Sequence, residues 1–331
     1  MARSDLAHVP TYHLFDFWTN SMRKIVSLAG VLAASILALI PVMPSAATGE
    51  VFDTVRRTAV MSAFEPEWKA LQTALRDRRD YLANGVTFAT GTIDGRPVVL
   101  FLSGISMVNA AMTTQLVLER FAIDAIVFSG IAGGVNPDLS IGDVVVPDRW
   151  SEYLEAVFAR EGTDGAYKLA PRFAERQFTK NFGMMFPQPV QIAKGGGDLE
   201  RRAWFEVDAG LLQVAKATAG AITLKDCTAE SKCLTPKPKV VVGGQGVSGQ
   251  AFVDNKEFRE YVRKAFNADV LDMESAAVAH VAYANKVPFI AFRSLSDLAG
   301  GEEHENVIDT FRQLASDNSA SVVKEFLKAL H

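Results

Sequence analysis

From Thr58 to the C-terminus, short runs of β-branched and apolar residues alternate with amphipathic stretches at helical spacing, and no other feature of the sequence restricts the fold as much. Strands joined through helices run parallel, and a parallel sheet must be covered on both faces. Thr58-Ala-Val-Met-Ser-Ala-Phe64 reads as the first strand and leads into Trp68, Leu71 and Leu75 at helical spacing. Next come a hairpin of Val86 to Ile93 and Pro97 to Leu102, turned at Asp94-Gly95, and a helix from Ser106 to Phe121. Ala125 to Ser129 is a buried strand that runs into a glycine loop, Gly130-Ile-Ala-Gly-Gly134, and Asp143 to Pro147 is another strand. Past Lys239 the order is a strand at Val240 to Gln245, helices at about Asn255 to Phe266 and Ser275 to Asn285, a strand at Pro288 to Arg293 and a last helix from about Glu305. The expected fold class is α/β: a single domain whose central sheet is mixed, mostly parallel and twisted, flanked by helices. Between Trp150 and Lys239 the apolar period fades and only a helix from Ala203 to about Ala219 can be placed, so residues 151–239 read as an insertion on that core.

Ahead of the alternating region, Ile25 to Met43 carries no charge and directly follows Arg23-Lys24. Basic, then apolar, then small residues is the order of a secretory signal peptide. Ser45 and Ala47 supply small side chains three and one positions before a cut, which places cleavage near Ala47. An uncleaved membrane anchor is the alternative, because about 19 residues span a hydrocarbon core of roughly 30 Å. Pro41 and Pro44 favour cleavage, and Met22 offers a second start. Residues 1–47 are therefore expected to be an N-terminal extension and leader, and 48–331 the mature domain: exported, periplasmic or secreted, with no stable membrane association after cleavage. The only cysteines, Cys227 and Cys233, are expected to close a disulfide across a short polar loop, as suits an exported chain. Metal binding is the rival reading, but no histidine or third cysteine lies near them. With 34 Lys and Arg against 38 Asp and Glu, the chain lacks the basic excess of a nucleic-acid binder.

In open α/β sheets, ligands sit beyond the carboxyl ends of the strands. Four strand ends here carry polar or glycine-rich sequence: Glu65-Pro-Glu67, Gly130 to Gly134, Asp272-Met-Glu274 and Arg293-Ser-Leu-Ser-Asp297. Each has a plain structural explanation, since Glu65 and Glu67 suit a helix N-terminus, Asp272 or Asp297 a helix cap, and the glycines a tight turn. Together they describe a cluster of carboxylates, whose pKa values are driven apart as acid and base work requires. Asp272 and Glu274, two apart in an extended segment, face one side, where a carboxylate can accept both hydroxyls of a ribose. Gly244-Gln-Gly-Val-Ser-Gly249 matches the dinucleotide fingerprint, but Gln250-Ala-Phe-Val253 after it is no obvious helix start, which argues against nicotinamide binding.

Ser129 to Pro147, Asp272 to His280 and Arg293 to Asp297, in that order, resemble the nucleoside phosphorylase superfamily, and within it the 5′-methylthioadenosine/S-adenosylhomocysteine nucleosidases. The resemblance runs from about Thr58 to the C-terminus and implies hydrolysis of the N-glycosidic bond of a purine nucleoside. It implies Asp297 as the acid that protonates the departing base at N7, oriented by Ser296. Glu274 is implied as the ribose-binding carboxylate, with Met273 against the sugar. Glu67, in the first loop, is implied to activate the attacking water, with Arg293 helping to hold it. Phe252 and Val253 are implied to stack on and read the base, Ile105 to wall the sugar's 5′ end, and Ala132 and Gly133 to approach the substrate. Cleavage through an oxocarbenium-like sugar needs these groups: an acid at the base, a carboxylate near the cationic sugar and a water on the opposite face. No cofactor and no metal are implied, the partner is a small-molecule purine nucleoside, and a homodimer is expected. Ile131 departs from the serine usual in that glycine loop, and Asp272 replaces a longer acid. A phosphorylase using phosphate is the alternative, weakened because Glu65 and Glu67 would repel an anion and no arginine follows the first strand. A non-catalytic nucleoside-binding or storage protein is a third reading, disfavoured by four polar groups placed at converging strand ends.

Overall fold

The structure is a computed structural model that describes residues 50–330. The leader expected before Ala47 lies outside the described residues.

Twelve strands form one large sheet. Strand β1 (Asp53–Ser62) leads into helix α1 (Glu65–Gln72), and the chain returns through strands β2 (Arg76–Ala83), β3 (Val86–Ile93) and β4 (Arg96–Leu102). Helix α2 (Met107–Arg120) crosses to strand β5 (Phe121–Gly134), after which come β6 (Val144–Val146) and β7 (Arg149–Glu152). Strand β1 lies between β4 and β5 and is parallel to both, as a crossover through α2 requires. The Phe289–Asp297 strand is parallel to β5 on its other side, pairing Arg293 with Gly130. The Gln245–Ser248 strand is parallel to both β7 and the Val270–Asp272 strand, while the latter meets the end of β5 antiparallel. The sheet is mixed and mostly parallel around β1 and β5, in the expected α/β class.

Burial explains why these segments are strands. Val60, Met61, Val127, Phe128, Ile290 and Phe292 are sealed from solvent on both faces, as central parallel strands should be. The C-terminal helix (Ile308–Ala329) covers one face through Ala320, Val323 and Phe326, and Phe326 meets Phe292 with ring centroids 4.9 Å apart. Each such side chain contributes on the order of 1.5–3 kcal/mol on burial, so the apolar runs hold the sheet against this helix.

Two expected loops are strands instead. The glycine run Gly130 to Gly134 continues β5, and the Phe289–Asp297 strand runs to Asp297 with all nine residues buried. Strand β2, which no apolar pattern announced, is an edge strand with five exposed residues at its start and joins β3 through Asn84-Gly85, both in the left-handed region. The helix expected from Ala203 begins at Ala209, because Phe205–Glu206 forms a strand on β7 and Asp208 caps the helix by accepting from the Gly210 and Leu211 amides. The rest of the region between β7 and that helix holds three small antiparallel ladders, such as Val190–Ala193 on Leu199–Arg202. Cys227 and Cys233 are joined by a disulfide. None of the described helices is long and apolar enough to cross a membrane.

Candidate active site

The ends of β1, β5 and the Val270–Asp272 and Phe289–Asp297 strands converge on one cleft of about 200 Å³. Every residue expected to do chemistry or touch substrate lines it except Arg293, which stands behind its wall. Arg293 is fully buried. Its guanidinium lies over the Phe128 ring at 3.9 Å, and its Nε donates to Ser275 Oγ at 2.9 Å. Three carboxylates surround it: Asp272 Oδ2 at 2.8 Å, Glu274 Oε2 at 3.6 Å and Glu67 Oε1 at 4.0 Å. A lone buried guanidinium would be prohibitively costly, so this cation and these anions depend on one another. Gly130 makes room for them, since a Cβ there would overlap the Arg293 guanidinium. That is why a glycine sits in mid-strand where the sequence pattern looked like a loop.

Glu67 enters this cluster from the first turn of α1. Its Oε2 accepts from the Ala63 and Phe64 amides at 2.7 and 3.3 Å, and its Oε1 from the Ile131 amide at 2.9 Å. Burial pushes its carboxyl up to about 7, with Arg293 and these amides opposing the rise. Glu65, by contrast, is exposed, as a residue that only serves a helix N-terminus would be. Glu274 is raised to about 7 chiefly by burial, opposed by Arg293 and reinforced by Asp272 and Glu67. The Ser106 amide donates to its Oε1 at 2.8 Å.

Asp272 does not share the role of Glu274. Its Oδ1 accepts from the amides of Glu274 and Ser275, both at 3.1 Å, and from Ser248 Oγ, while its Oδ2 takes Ser275 Oγ and Arg293. Both oxygens of Asp272 are spent on the start of helix Ser275–Asn285 and on Arg293, whereas Glu274, at the N-cap position itself, makes no capping bond with its side chain and keeps its carboxylate for the cleft.

At the other end of the cleft, Asp297 Oδ1 accepts from the Ala299 amide at 2.9 Å and its Oδ2 from Ser296 Oγ at 2.8 Å. Burial raises its carboxyl above the ordinary range despite those bonds, and the Glu302 charge adds to the rise. A Cβ on Gly133 would stand 3.1 Å from Asp297 Oδ1, so the second glycine of the run leaves the acid open to the cleft. Ala132, Val253 and Met273 add walls, and Ile105 and Phe252 stand at the rim, 51% and 55% exposed.

Phe64, Ile308, Asp309 and Arg312 also line the cleft and were not singled out from sequence. The last three open the C-terminal helix, and no motif marks them; only the return of the chain after Asp297 brings them here. Among the described residues no group of three or more His, Cys, Asp or Glu is arranged to hold a metal ion. The glycines of the dinucleotide-like match serve packing: a Cβ on Gly246 would fall 2.5 Å from the Trp150 ring, and one on Gly249 would overlap the Tyr153 ring.

The sequence matches the family model described as the phosphorylase superfamily over residues 57–328. A 5′-methylthioadenosine/S-adenosylhomocysteine nucleosidase of Lysinibacillus sphaericus is 30% identical over 277 residues, covering 83% of this chain and all of that enzyme. The enzyme of the same description from Anoxybacillus flavithermus is 29% identical over 82% of this chain and 98% of its own length. Among solved structures, the nucleosidase of Neisseria meningitidis in complex with methylthio-immucillin-A superposes with a TM-score of 0.61 at 26% identity, over 83% of this chain and the whole of that one.

Proposed function

This chain belongs to the phosphorylase superfamily, and from that membership we infer that it is an N-glycosyl hydrolase acting on purine nucleosides such as 5′-methylthioadenosine or S-adenosylhomocysteine and releasing adenine. In this reading Asp297, whose carboxyl is raised by burial, delivers a proton to N7 of the departing base, and the Ser296 hydroxyl fixes which oxygen carries it. Glu274 accepts the ribose hydroxyls and places negative charge beside the developing oxocarbenium ion. Glu67, poised near neutrality, takes a proton from water on the face away from the base. Arg293 Nη2 is buried without a hydrogen-bond partner 3.6 Å from Glu274 Oε2, while its Nη1 lies 4.0 Å from Glu67 Oε1, so the guanidinium keeps one donor free for that water.

The observation that carries hydrolysis over phosphorolysis is the commitment of Arg293. It is shared among three carboxylates, and Arg312, at the rim, is the only other cation reaching the cleft among the described residues. A phosphate dianion would meet net negative charge where the nucleophile must stand. Adenine release measured with and without phosphate tests this: phosphate-independent turnover is expected, and turnover only with phosphate overturns it.

The same reading includes export and pairing. The leader-like order from Arg23 to Ala47 and the disulfide support an exported chain cut near Ala47, for which mass spectrometry of the mature N-terminus is the test. Ile105, Val108 and Met112 form an exposed apolar stripe on and just before α2, beside the cleft, and this supports a homodimer. Analytical ultracentrifugation tests it, a monomer at micromolar concentration being the adverse result.

A further inference from the structure

In the nucleosidase reading Asp297 carries a proton to the base, yet the groups bonded to it favour its anion. Its oxygens take the Ala299 amide and the Ser296 hydroxyl, and the Asn306 side chain also donates to it. Besides burial, one group opposes them, and it stands in the turn that follows. Glu302 Oε1 accepts from the Leu298 amide at 2.7 Å, while Asp297 Oδ1 accepts from the next amide, that of Ala299. Two carboxylates held on consecutive amides of one tight turn are close neighbours. Glu302 does not line the cleft, and its Oε2 is buried with no hydrogen-bond partner. A glutamine would serve the Leu298 amide as well, and the orphaned oxygen of an acid lowers stability, so folding gives no reason for a charge here. The turn is nevertheless shaped to hold it: a Cβ on Gly300 would fall 2.4 Å from the Asn255 nitrogen, and one on Gly301 2.8 Å from the Arg259 guanidinium carbon.

Resting on the nucleosidase reading, we propose that Glu302 is a positioning residue for the general acid: its negative charge, fixed behind the turn that follows Asp297, favours the protonated form of Asp297 and so readies the proton for N7 of the base. The other charges around the turn are committed elsewhere. Arg259, the cation facing Glu302 from helix Lys256–Phe266, gives its Nε to the Gly134 carbonyl at 2.9 Å and no hydrogen bond to Glu302. Asp254 accepts from Asn306 at 3.2 Å, and Asp309 and Arg312 pair with each other at 3.2 Å. Glu303, His304 and Glu305 are exposed. Of these charges, that of Glu302 adds to the rise of the Asp297 carboxyl. No bond forms or breaks at Glu302 itself. Once the proton has passed to the base, the Ala299, Ser296 and Asn306 donors stabilise the Asp297 anion, so the acid is both loaded and able to discharge.

The test is the pH dependence of kcat/KM for adenine release from 5′-methylthioadenosine and S-adenosylhomocysteine by the purified wild type, Glu302→Gln, Glu302→Ala and Glu302→Asp. The basic limb of that profile reports the essential acid of the free enzyme. Glu302→Gln keeps an acceptor for the Leu298 amide and removes the charge; it is expected to move the midpoint of the limb down by about 0.5–1 pH unit, which is about 3- to 10-fold in kcat/KM above the limb, with the plateau below it within about 2-fold. Glu302→Ala gives up the Leu298 amide as well and should place the limb where Glu302→Gln does, and Glu302→Asp, which keeps the charge, should recover part of the shift. A limb that neither neutral variant moves, or activity lowered equally at every pH, overturns the inference alone and leaves Glu302 as a support of the turn. Absence of release by the wild type at every pH overturns the nucleosidase reading, and this inference falls with it.

Discussion

The floor and the rim of the cleft are built on opposite terms. At the floor, Glu67, Asp272, Glu274 and Arg293 are almost wholly withdrawn from solvent and fixed by backbone amides, hydroxyls and one another. At the rim, Ile105, Phe252 and Arg312 are about half exposed. Burial at the floor, and around Asp297 at the other end of the cleft, moves proton affinities further than an exposed site allows, so acid and base chemistry is kept to these buried groups. Exposure at the rim leaves side chains free to adapt to a ligand, so selection among substrates can be placed there without disturbing the chemistry.

The sharpest way to break this contrast is Asp297→Asn. The amide keeps the shape and can still accept from Ala299, so the thermal transition should hardly move, while kcat/KM falls by about 10²–10⁴-fold as expected for a lost general acid. Arg293→Met should act on the fold instead: it strands Glu67, Asp272 and Glu274 without their buried cation, and denaturant titration at pH 7 should show a loss of about 3–5 kcal/mol. A variant as stable as wild type would mean that the floor is not held by charge.

A pH series sharpens the comparison further. Glu67 and Glu274 have folded pKa values of about 7, above the ordinary 4.5, so between those values the native state holds protons that the unfolded chain has released. Stability should therefore fall as pH rises through that window, by at most about 1.4 kcal/mol per pH unit for each group, and Glu67→Gln should reduce the slope. Activity should run the other way on its acid limb, rising towards pH 7 as Glu67 ionises; a flat acid limb would remove its role as base. The smallest effect is expected at the rim. Phe252→Ala should raise KM about 10-fold, the loss of roughly one stacking contact, with kcat nearly kept and stability within about 0.5 kcal/mol.

The contrast also marks what could be read in advance. Apolar strands, the amphipathic helices and the three motif segments were legible because burial leaves a local record in the residue pattern. Strand β2 left none: its side chains are charged and exposed, and pairing with β3 alone makes it a strand. The glycine run was mistaken for a loop because glycine signals both a turn and a close approach, and only Arg293, arriving from a distant strand, decides that Gly130 is the second. Asp272 and Glu274 looked alike two residues apart, yet the carboxylate of the first is spent on backbone amides, hydroxyls and Arg293, while that of the second is left for the cleft.

By itself, then, the sequence determined the layered α/β architecture, the family, and the kinds of side chain brought to the strand ends. Tertiary structure alone decided which carboxylate is spent on Arg293, which keeps a proton near neutrality, and that Asp309 and Arg312 reach the rim. The physical reason is that a local pattern records only whether a residue is buried or exposed. A proton affinity depends on what is buried beside it, and here those neighbours come from far along the chain, as when Ser106 supplies the amide for Glu274, 168 positions away.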